Sequence, residues 1–289
     1  DNRQKIIAMN TATKKLSPRQ VFWKCGACSH AMYHLLNHEF GNIKPVEEKA
    51  SDMLAGGIAQ KGHQCGLLWG ASLAIGTESF RKHNNKSMAK AAAIHASGLM
   101  VESFNNRNKT VNCRDISRVD WENKFQMILF TVKTVAQGFV FSPCFNLITK
   151  WAPEASEAAK YGLSINVNHT SPCLSCASEV VKKMGGTDEE ATMVAGFAGG
   201  IGLSGNACGA LSAAIWYKML EWNKNNQGKS ASMFNNPDAK KVLRNFYIKT
   251  DSEMLCKKIC NKKFNSIDEH SEYIKNGGCK NIIEALANS

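Results

Sequence analysis

The sequence predicts an all-α protein built from two tandem helical-bundle units that are related by a pseudo-two-fold axis. The first observation is a repeated stretch: residues 55–66 read AGGIAQKGHQCG and residues 198–209 read AGGIGLSGNACG. The second is that apolar residues around both copies recur at helical spacing, whereas alternating segments typical of strands are almost missing. Because a repeat of this kind is the signature of a duplicated structural unit, we expect both halves to share one topology.

The elements of the two units can be justified in order along the chain. Each unit begins with a C-x-x-C motif, CGAC in the first and CLSC in the second, which opens an amphipathic helix ending at glycine. A helix with an acidic first turn follows, PVEEKASDMLAGG and then TDEEATMVAGFAGG. Thr187 and Glu190 have the spacing of a capping box, so the second of these helices has a defined start.

Later elements repeat as well. The Cys-Gly pairs at Cys65 and Cys208 open a third helix in each unit, LLWGASLAIG and ALSAAIWYKML. Next come CRDI and CKKI, and finally CFNLI and CKNII, each of which starts a terminal helix. We therefore predict a first unit over residues 20–150, a connecting segment over 151–167 and a second unit over 168–289.

The second copy of the repeat contains a literal G-x-G-x-x-G at Gly200, Gly202 and Gly205. A dinucleotide site needs a strand before such a loop, and the preceding TDEEATMVAGF is helical in character. The first copy has Ala59 in place of Gly202. Since both copies keep Gly-Gly-Ile and Gly-x-x-Cys-Gly, the glycines are expected to serve the cysteine, and no dinucleotide binding is expected.

Composition narrows the range of partners. The formal net charge is +12, and the basic residues are scattered among asparagines, as in RKHNNK and NKNNQGK. Nucleic-acid binding would require a basic stripe with stacking aromatic residues, which the sequence lacks. An acidic partner protein or an anionic substrate fits the charge. The oligomeric state is left open.

The sequence gives less information about the cellular location of the protein than about its fold. No apolar run reaches the length of a membrane span, because Lys133 and Gln137 interrupt the best candidate. The chain starts at Asp1 without a signal-like segment, so export stays open and a cytoplasmic location is favoured.

Cysteine is the outstanding residue of the composition. The chain has eleven cysteines, an odd number that argues against a fully paired disulfide framework. Four of them recur in the same order in each unit, and separated thiolates of this kind can hold an iron–sulfur cluster or a zinc ion. The predicted ligands are Cys28, Cys65, Cys113 and Cys144 in the first unit, and Cys176, Cys208, Cys256 and Cys279 in the second.

This order of cysteines around a Cys-Gly motif resembles the putative redox-active protein family with the C / CGAxxG / C / C pattern, here in tandem. CGALSA matches except that Ala213 replaces the last glycine, and CGLLWG matches except that Leu67 replaces the alanine. The resemblance covers nearly the whole chain and implies redox activity. A haem-bearing relative carries an iron–sulfur centre in the related domain, but haem attachment needs C-x-x-C-H, and Ser29 and Ala177 occupy the histidine positions here.

Several further residues are candidates for accessory roles. Cys25 and Cys173 complete the C-x-x-C motifs and could be alternate ligands, resolving thiols or bystanders. Cys260 follows Cys256 by one helical turn, and Cys256 is preferred as the ligand because it aligns with Cys113. His63 is a weaker accessory candidate, since Asn206 replaces it in the second unit. His30, His34 and His38 form a stripe interpreted as a solvated or capping face.

The leading functional hypothesis is a redox or electron-transfer protein with two iron–sulfur sites and a redox partner protein. Predicted helix starts at Cys28, Cys65, Cys176 and Cys208 favour a cluster, because helix dipoles and free N–H groups stabilise thiolates there. The alternatives are a thiol–disulfide oxidoreductase that uses the C-x-x-C pairs, a zinc-stabilised binding module, and inert buried cysteines. Since the sequence reveals no nucleophile–base pair, enzymatic activity stays undecided.

Overall fold

The computed structural model describes residues 16–137, 142–170 and 172–289, and every regular element in these ranges is helical. In the first half the helices are α1 Pro18–Cys25, α2 Cys28–Phe40, α3 Pro45–Ala50, a 3-10 turn Ser51–Leu54, α4 Gly66–Lys82, α5 Lys86–Asn108, α6 Cys113–Ser117, α7 Lys124–Ala136 and α8 Pro143–Ser164. In the second half they are α9 Cys176–Lys183, α10 Asp188–Met193, a 3-10 turn Ala195–Phe197, α11 Gly209–Asn225, α12 Pro237–Thr250, α13 Cys256–Ile259, α14 Ile267–Lys275 and α15 Lys280–Ala287. The all-α prediction is confirmed. Within the described ranges, no helix combines the length and apolar character that a membrane crossing demands.

The two halves repeat the same order of elements. Helices α2 to α8 of the first half correspond to α9 to α15 of the second, and a 3-10 turn follows the second helix of each set. Helices α4 and α11, which follow the repeated stretch, are both 17 residues long. The capping box at Thr187 and Glu190 is present. Residues 151–164 of the predicted connecting segment form the last part of α8, which packs along α5.

The repeated Gly-Gly-Ile stretch folds into a left-handed turn. All five residues from 56 to 60 have positive φ, and so do all five from 199 to 203. Left-handed backbone costs about 1–2 kcal/mol for each residue that carries a Cβ. Burial offsets part of this cost, because the side chains of Ile58 and Ile201 are fully enclosed in the core. Both copies of the motif thus encode the same strained turn.

A short antiparallel bridge follows each left-handed turn. It pairs Gln64 with Asn112 in the first unit and Ala207 with Leu255 in the second. These residues immediately precede the second and third cysteines of their unit. The bridge therefore fixes two cysteines that are far apart in sequence as close neighbours in space.

The two units pack against each other reciprocally. Helix α4 of the first unit contacts α10 of the second, and α11 of the second contacts α3 of the first, as a pseudo-two-fold axis requires. Trp69 meets Phe197 edge to face at 4.8 Å between ring centroids, and the Trp216 indole N–H donates to the Glu47 carbonyl at 3.1 Å. One hydrophobic core accordingly includes residues of both halves.

Gly202 of the G-x-G-x-x-G is explained by this packing. A Cβ at residue 202 would collide with the backbone nitrogen and Cα of Gly98 on helix α5. Its counterpart, Ala59, adopts the same left-handed backbone with a φ of 47°. Glycine at 202 is thus required by the close approach of the two units.

We expect Gly202→Ala to lower the free energy of unfolding by about 2 kcal/mol, because a methyl group in a full interface forces backbone movement. Urea denaturation would measure the change. The matched control is Ala59→Gly, which removes a methyl group from the same step of the other unit and should change stability by less than half as much. Equal effects of the two substitutions would contradict the packing explanation.

Candidate functional site

The first cysteine cluster consists of the thiols of Cys28, Cys65, Cys113 and Cys144. Each lies at the start of a helix: Cys28 and Cys113 are the first residues of α2 and α6, Cys65 precedes α4, and Cys144 is the second residue of α8. The bridge places Cys65 and Cys113, since the Cys65 amide donates to Val111 at 2.7 Å and the Cys113 amide to His63 at 2.6 Å. Four helix starts thereby supply the thiols of one cluster.

Backbone amides surround the Cys28 sulfur. Burial raises the pKa of Cys28, and the backbone amides of Gly56, Ser29 and Gly66 beside the sulfur offset part of that rise. Gly56 belongs to the left-handed turn, which aims its N–H group at the thiol. A Cβ at residue 66 would stand 2.6 Å from the Cys28 Sγ, so only glycine permits this approach. The expectation that the Cys-Gly glycine allows close backbone contact is met at this position.

The four thiols act on one another electrostatically. Burial raises the pKa of Cys65 well above its ordinary value, and the negative charges of Cys28, Cys113 and Cys144 raise it further. Burial, followed by the charge of Cys28, raises the pKa of Cys113 to about 12. The raised pKa values keep these thiols protonated at neutral pH.

A cavity of about 270 Å³ lies against the first cysteine cluster. Cys28, Cys113 and Cys144 form part of its wall. Aromatic side chains form much of the remainder, including Phe22 and Trp121. Three of the four cysteines of the first cluster therefore border this cavity.

The second cysteine cluster consists of five thiols, those of Cys176, Cys208, Cys256, Cys260 and Cys279, which line a cavity of only about 10 Å³. Four of them repeat the helix-start positions of the first cluster: Cys176 and Cys256 begin α9 and α13, and Cys208 and Cys279 directly precede α11 and α15. The Cys208 amide donates to Met254 at 2.9 Å and the Cys256 amide to Asn206 at 2.7 Å, as in the first unit.

Two of the backbone amides beside Cys28 have equivalents at Cys176 in the second cluster. Amides of Gly199 and Ala177 are hydrogen-bonded to the Cys176 sulfur, at the positions equivalent to Gly56 and Ser29. Burial, followed by the charge of Cys208, raises the pKa of Cys176 to about 12. The duplication has preserved the environment of the first thiol as well as the thiol itself.

Cys260 distinguishes the second cluster from the first. Its Sγ lies 3.9 Å from the Sγ of Cys256 and 3.7 Å from that of Cys279. The two neighbours donate hydrogen bonds that hold the pKa of Cys260 below its ordinary value. The same bonds, together with burial, raise the pKa values of Cys256 and Cys279. Both Cys256 and Cys260 therefore belong to the cluster, and only Cys256 occupies the step equivalent to Cys113.

Cys173, one of the residues predicted to have an accessory role, lies apart from the second cysteine cluster. Cys173 lies in a small apolar group with Ala91, Ile94 and Ala198, apart from the main core. The Ser271 hydroxyl lies 4.0 Å from its sulfur. Cys173 is therefore not gathered with the second cluster.

His63 contributes its backbone to the bridge. Burial, followed by the positive charge of Arg114, lowers the pKa of its imidazole. The charged neighbours of the ring are Arg114, Glu122, Glu253 and Lys61, so no thiol is among them.

One group of neighbouring side chains, Cys25, His30 and Asp52, was not predicted from the sequence. The His30 Nδ1 lies 3.0 Å from the Asp52 Oδ1, and Cys25 is a second neighbour that acts on the charge of the ring. Burial opposes the charged imidazole, but Asp52 and Cys25 together raise the pKa of His30 to about 9. A cysteine, a histidine and an aspartate that contact one another in this order can act as nucleophile, base and orienting group. The only sequence signal was the spacing of Cys25 and His30, since Asp52 comes from the distant 3-10 turn.

Two of the three histidines in the stripe, His30 and His34, contact carboxylates. His34 Nδ1 lies 2.8 Å from Glu48 Oε2, so this histidine joins α2 to α3. The interpretation as a solvated face fits neither His30 nor His34, which are both in contact with carboxylates.

The chemistry of the donors fits a sulfur-bound metal group, since buried thiols with backbone N–H partners are the ligands such groups use. Across residues 16–137, 142–170 and 172–289, no three or more His, Cys, Asp and Glu side chains stand in an arrangement that could hold a single metal ion. All eleven cysteines are free thiols. Assignment of the eight thiols as ligands stays a prediction.

We expect Cys260 to be the first thiol of the second cluster to react with iodoacetamide in iron-free protein at pH 6, because its pKa is lowered. Mass mapping of labelled peptides would measure the order of reaction. Removing one donor by Cys279→Ala should slow the labelling of Cys260, whereas Cys173→Ala should leave it unchanged. Labelling of Cys208 ahead of Cys260 would contradict the hydrogen-bonded arrangement.

Comparison with known proteins agrees with the duplication. The family model described as "Putative redox-active protein (C_GCAxxG_C_C)" matches residues 27–157 and again residues 171–289. No curated protein and no solved structure matches the chain. The two matches together cover most of the sequence, and each contains one cysteine cluster. The chain therefore belongs to the family with the description "Putative redox-active protein (C_GCAxxG_C_C)", and it contains the family's domain twice in tandem.

Proposed function

We propose that this redox protein transfers electrons through iron–sulfur clusters held by its two cysteine clusters. The observation that carries the proposal is the gathering of four equivalent helix-start thiols in each unit. These thiols come from four separate segments, and all four segments recur in the second unit. Duplication of a complete set supports a shared ligand function, because scattered core cysteines would have no reason to recur together.

Electrostatics supports a cluster of iron and sulfide. Burial and mutual repulsion penalise thiolates, so the charged state needs a cation bound between them. Helix dipoles directed at the sulfurs stabilise negative charge, and backbone N–H groups around Cys28 and Cys176 would tune the potential of a bound cluster. Structural zinc sites are commonly built from two close C-x-x-C pairs, whereas Cys173 stands apart from Cys176.

The proposed ligands are Cys28, Cys65, Cys113 and Cys144 for one cluster and Cys176, Cys208, Cys256 and Cys279 for the other. Cys260 lies within 4 Å of two of them, so it can replace either as a ligand. When bound, the clusters supply one-electron chemistry, while the protein provides burial, hydrogen bonds and a fixed position. The net charge of +12 favours an acidic redox partner.

We expect iron and acid-labile sulfide in protein purified without oxygen, together with visible absorption. Cys208→Ala should remove about half of the iron, because each unit binds its own cluster. Cys65→Ala should remove the other half. Chemical analysis of iron and sulfide per chain would measure both effects.

The matched control is Cys173→Ala, which removes the other cysteine of the second C-x-x-C motif and should leave the iron content unchanged. Colourless, iron-free protein after anaerobic reconstitution would contradict the proposal. So would an iron content that depends on Cys173 as strongly as on Cys208.

A second candidate function rests on Cys25, His30 and Asp52. His30 is protonated at neutral pH and lies beside Cys25, whose sulfur can attack the disulfide of a substrate. The attack forms a mixed disulfide with Cys25 and releases one substrate thiolate. Attack by Cys28 would then form a Cys25–Cys28 disulfide and release the second thiolate. In this alternative the substrate disulfide is the oxidant, and Cys28 is not a metal ligand.

We expect His30→Asn to slow the alkylation of Cys25 at pH 7, since the sulfur loses the cationic neighbour that favours its attack. The difference between the two proteins should vanish as the pH rises through about 9, where His30 loses its proton. Iodoacetamide kinetics with peptide mapping would measure the rates. The control is His34→Asn, one helical turn away and bonded to Glu48, which should not change them. An unchanged rate in His30→Asn would contradict the activated thiol.

A further inference from the structure

Helix α7 presents a continuous row of apolar side chains to solvent. Five of them are exposed over 41% to 74% of their area, and they are Phe125, Ile128, Leu129, Val132 and Val135. Spacings of three and four residues place these side chains on one side of the helix, here called the α7 apolar face. Single exposed apolar residues are ordinary, whereas a contiguous apolar patch marks a binding surface.

The opposite side of α7 packs on the protein. Thr134 is buried, and Met127, Phe130 and Thr131 line the cavity beside the first cysteine cluster. The ring of Trp121 meets that of Phe130 edge to face at 5.2 Å. These contacts fix which side of α7 turns inward, so the α7 apolar face points away from the core. A helix that is apolar on both sides needs an apolar environment on both.

Two exposed aromatic residues from other segments extend the α7 apolar face. Trp23 on α1 is 60% exposed, and Phe234 in the loop before α12 is 45% exposed. Both line the same cavity as Val135, and Phe234 also shares a groove with Ile128. Three separate segments therefore contribute to one apolar surface, which is a product of the fold and not of one helix alone.

Lysines stand at the edges of this surface. Lys124 and Lys133 are both exposed, and α7 contains no acidic residue. With about 3.6 residues per turn, these two lysines fall on opposite sides of the α7 apolar face. Lys24, which directly follows Trp23, is exposed as well. The apolar surface thus has a basic border.

The carboxylates that precede α7 do not cancel this positive charge. Asp120 is paired with Arg114, and Glu122 is paired with Lys61. Lys240 adds a further positive charge in the groove beside Ile128. The whole chain has a net charge of +12, so its field also favours an anionic partner.

A membrane that contains anionic lipids matches both properties of the surface. Its acyl chains accept apolar side chains, and its headgroups attract the lysines around them. Tryptophan is favoured at the boundary between the two regions. A second copy of the chain fits less well, because a symmetric contact brings the same patch of both copies together. Lysines would then face lysines, and like charges across an interface are unfavourable.

We propose that the α7 apolar face, together with Trp23 and Phe234, binds the surface of a membrane that contains anionic lipids. Helix α7 lies in the plane of the interface, with its apolar face among the acyl chains and its lysines at the headgroups. The first cysteine cluster then lies on the membrane side of the protein, since the inner side of α7 lines the cavity that three of its cysteines border. Binding does not depend on what the cysteines hold, so the proposal is separate from that of iron–sulfur clusters.

The test is sedimentation of the full chain with vesicles made of equal parts of phosphatidylcholine and phosphatidylglycerol. We expect saturable binding, and binding about tenfold weaker for the double variant Ile128→Gln/Val132→Gln, which loses two side chains from the acyl region. Glutamine keeps the helix propensity high, and both side chains are exposed, so the fold is retained. Thermal unfolding of the variant checks this.

The matched control is Tyr161→Gln, which removes a side chain that is 64% exposed near the other end of α8. It should bind the vesicles like the unchanged protein. The charge is tested separately with Lys124→Gln/Lys133→Gln, which should bind the anionic vesicles about tenfold more weakly, since each lysine near the surface contributes about 1 kcal/mol. Vesicles of phosphatidylcholine alone should bind the unchanged protein more weakly, and added salt should weaken its binding to the anionic vesicles.

Tryptophan fluorescence identifies the side of the protein that enters the membrane. Lipids with brominated acyl chains quench tryptophans that lie among them, and Trp23 is the most exposed tryptophan of the chain. We expect quenching in the unchanged protein and loss of most of it in Trp23→Phe. Trp222→Phe, which alters a half-buried tryptophan on α11, should keep the quenching.

The proposal is overturned if the anionic vesicles do not bind the protein, or if Ile128→Gln/Val132→Gln binds them as well as the unchanged protein does. Quenching that depends on Trp222 and not on Trp23 would also overturn it. Sedimentation velocity without lipid tests the competing occupant. A dimer that the same double substitution dissociates, in protein that does not bind vesicles, would assign the surface to a second copy of the chain.

Discussion

The antiparallel bridge that follows each left-handed turn is the interaction on which both cysteine clusters depend. It joins Gln64 to Asn112 and Ala207 to Leu255, one residue before the second and third cysteines of each unit. Nearly fifty residues separate those cysteines in the chain, and only a few backbone hydrogen bonds bring them together. The left-handed turn gives the chain the reversal that the bridge needs and also directs an amide at the first cysteine. Backbone geometry thus defines the site, which explains why glycines accompany the cysteines in both copies.

Duplication has kept this framework and changed what surrounds it. The first cluster borders an aromatic cavity, whereas the second has Cys279 beside a pocket with charged walls and contains the additional thiol of Cys260. The units also pack against each other, because Gly202 lies against Gly98 and Trp69 contacts Phe197 across the interface. The two equivalent cysteine clusters therefore have different surroundings within one core.

Much of the fold and of the cysteine clusters could be predicted from the sequence, because a pattern found in one half can be checked against the other half. The helical class, the tandem organisation and the helix starts at Cys28, Cys65, Cys176 and Cys208 follow from periodicity, capping and the Cys-Gly motif. Features that depend on contacts between distant segments could not be predicted. Asp52 reaches His30 through the 3-10 turn, and Cys260 reaches Cys279 through the fold of the last three helices. The role of Gly202 was hidden because its partner, Gly98, lies in the other unit.

We propose that four helix-start thiols of each unit share one iron–sulfur cluster. X-ray absorption at the iron edge of protein purified without oxygen would test this proposal, since the method reports which elements surround each iron atom. We expect sulfur as the only nearest neighbour of iron and a second iron atom in the next shell. Nitrogen or oxygen among the nearest neighbours, or iron without iron nearby, would contradict it.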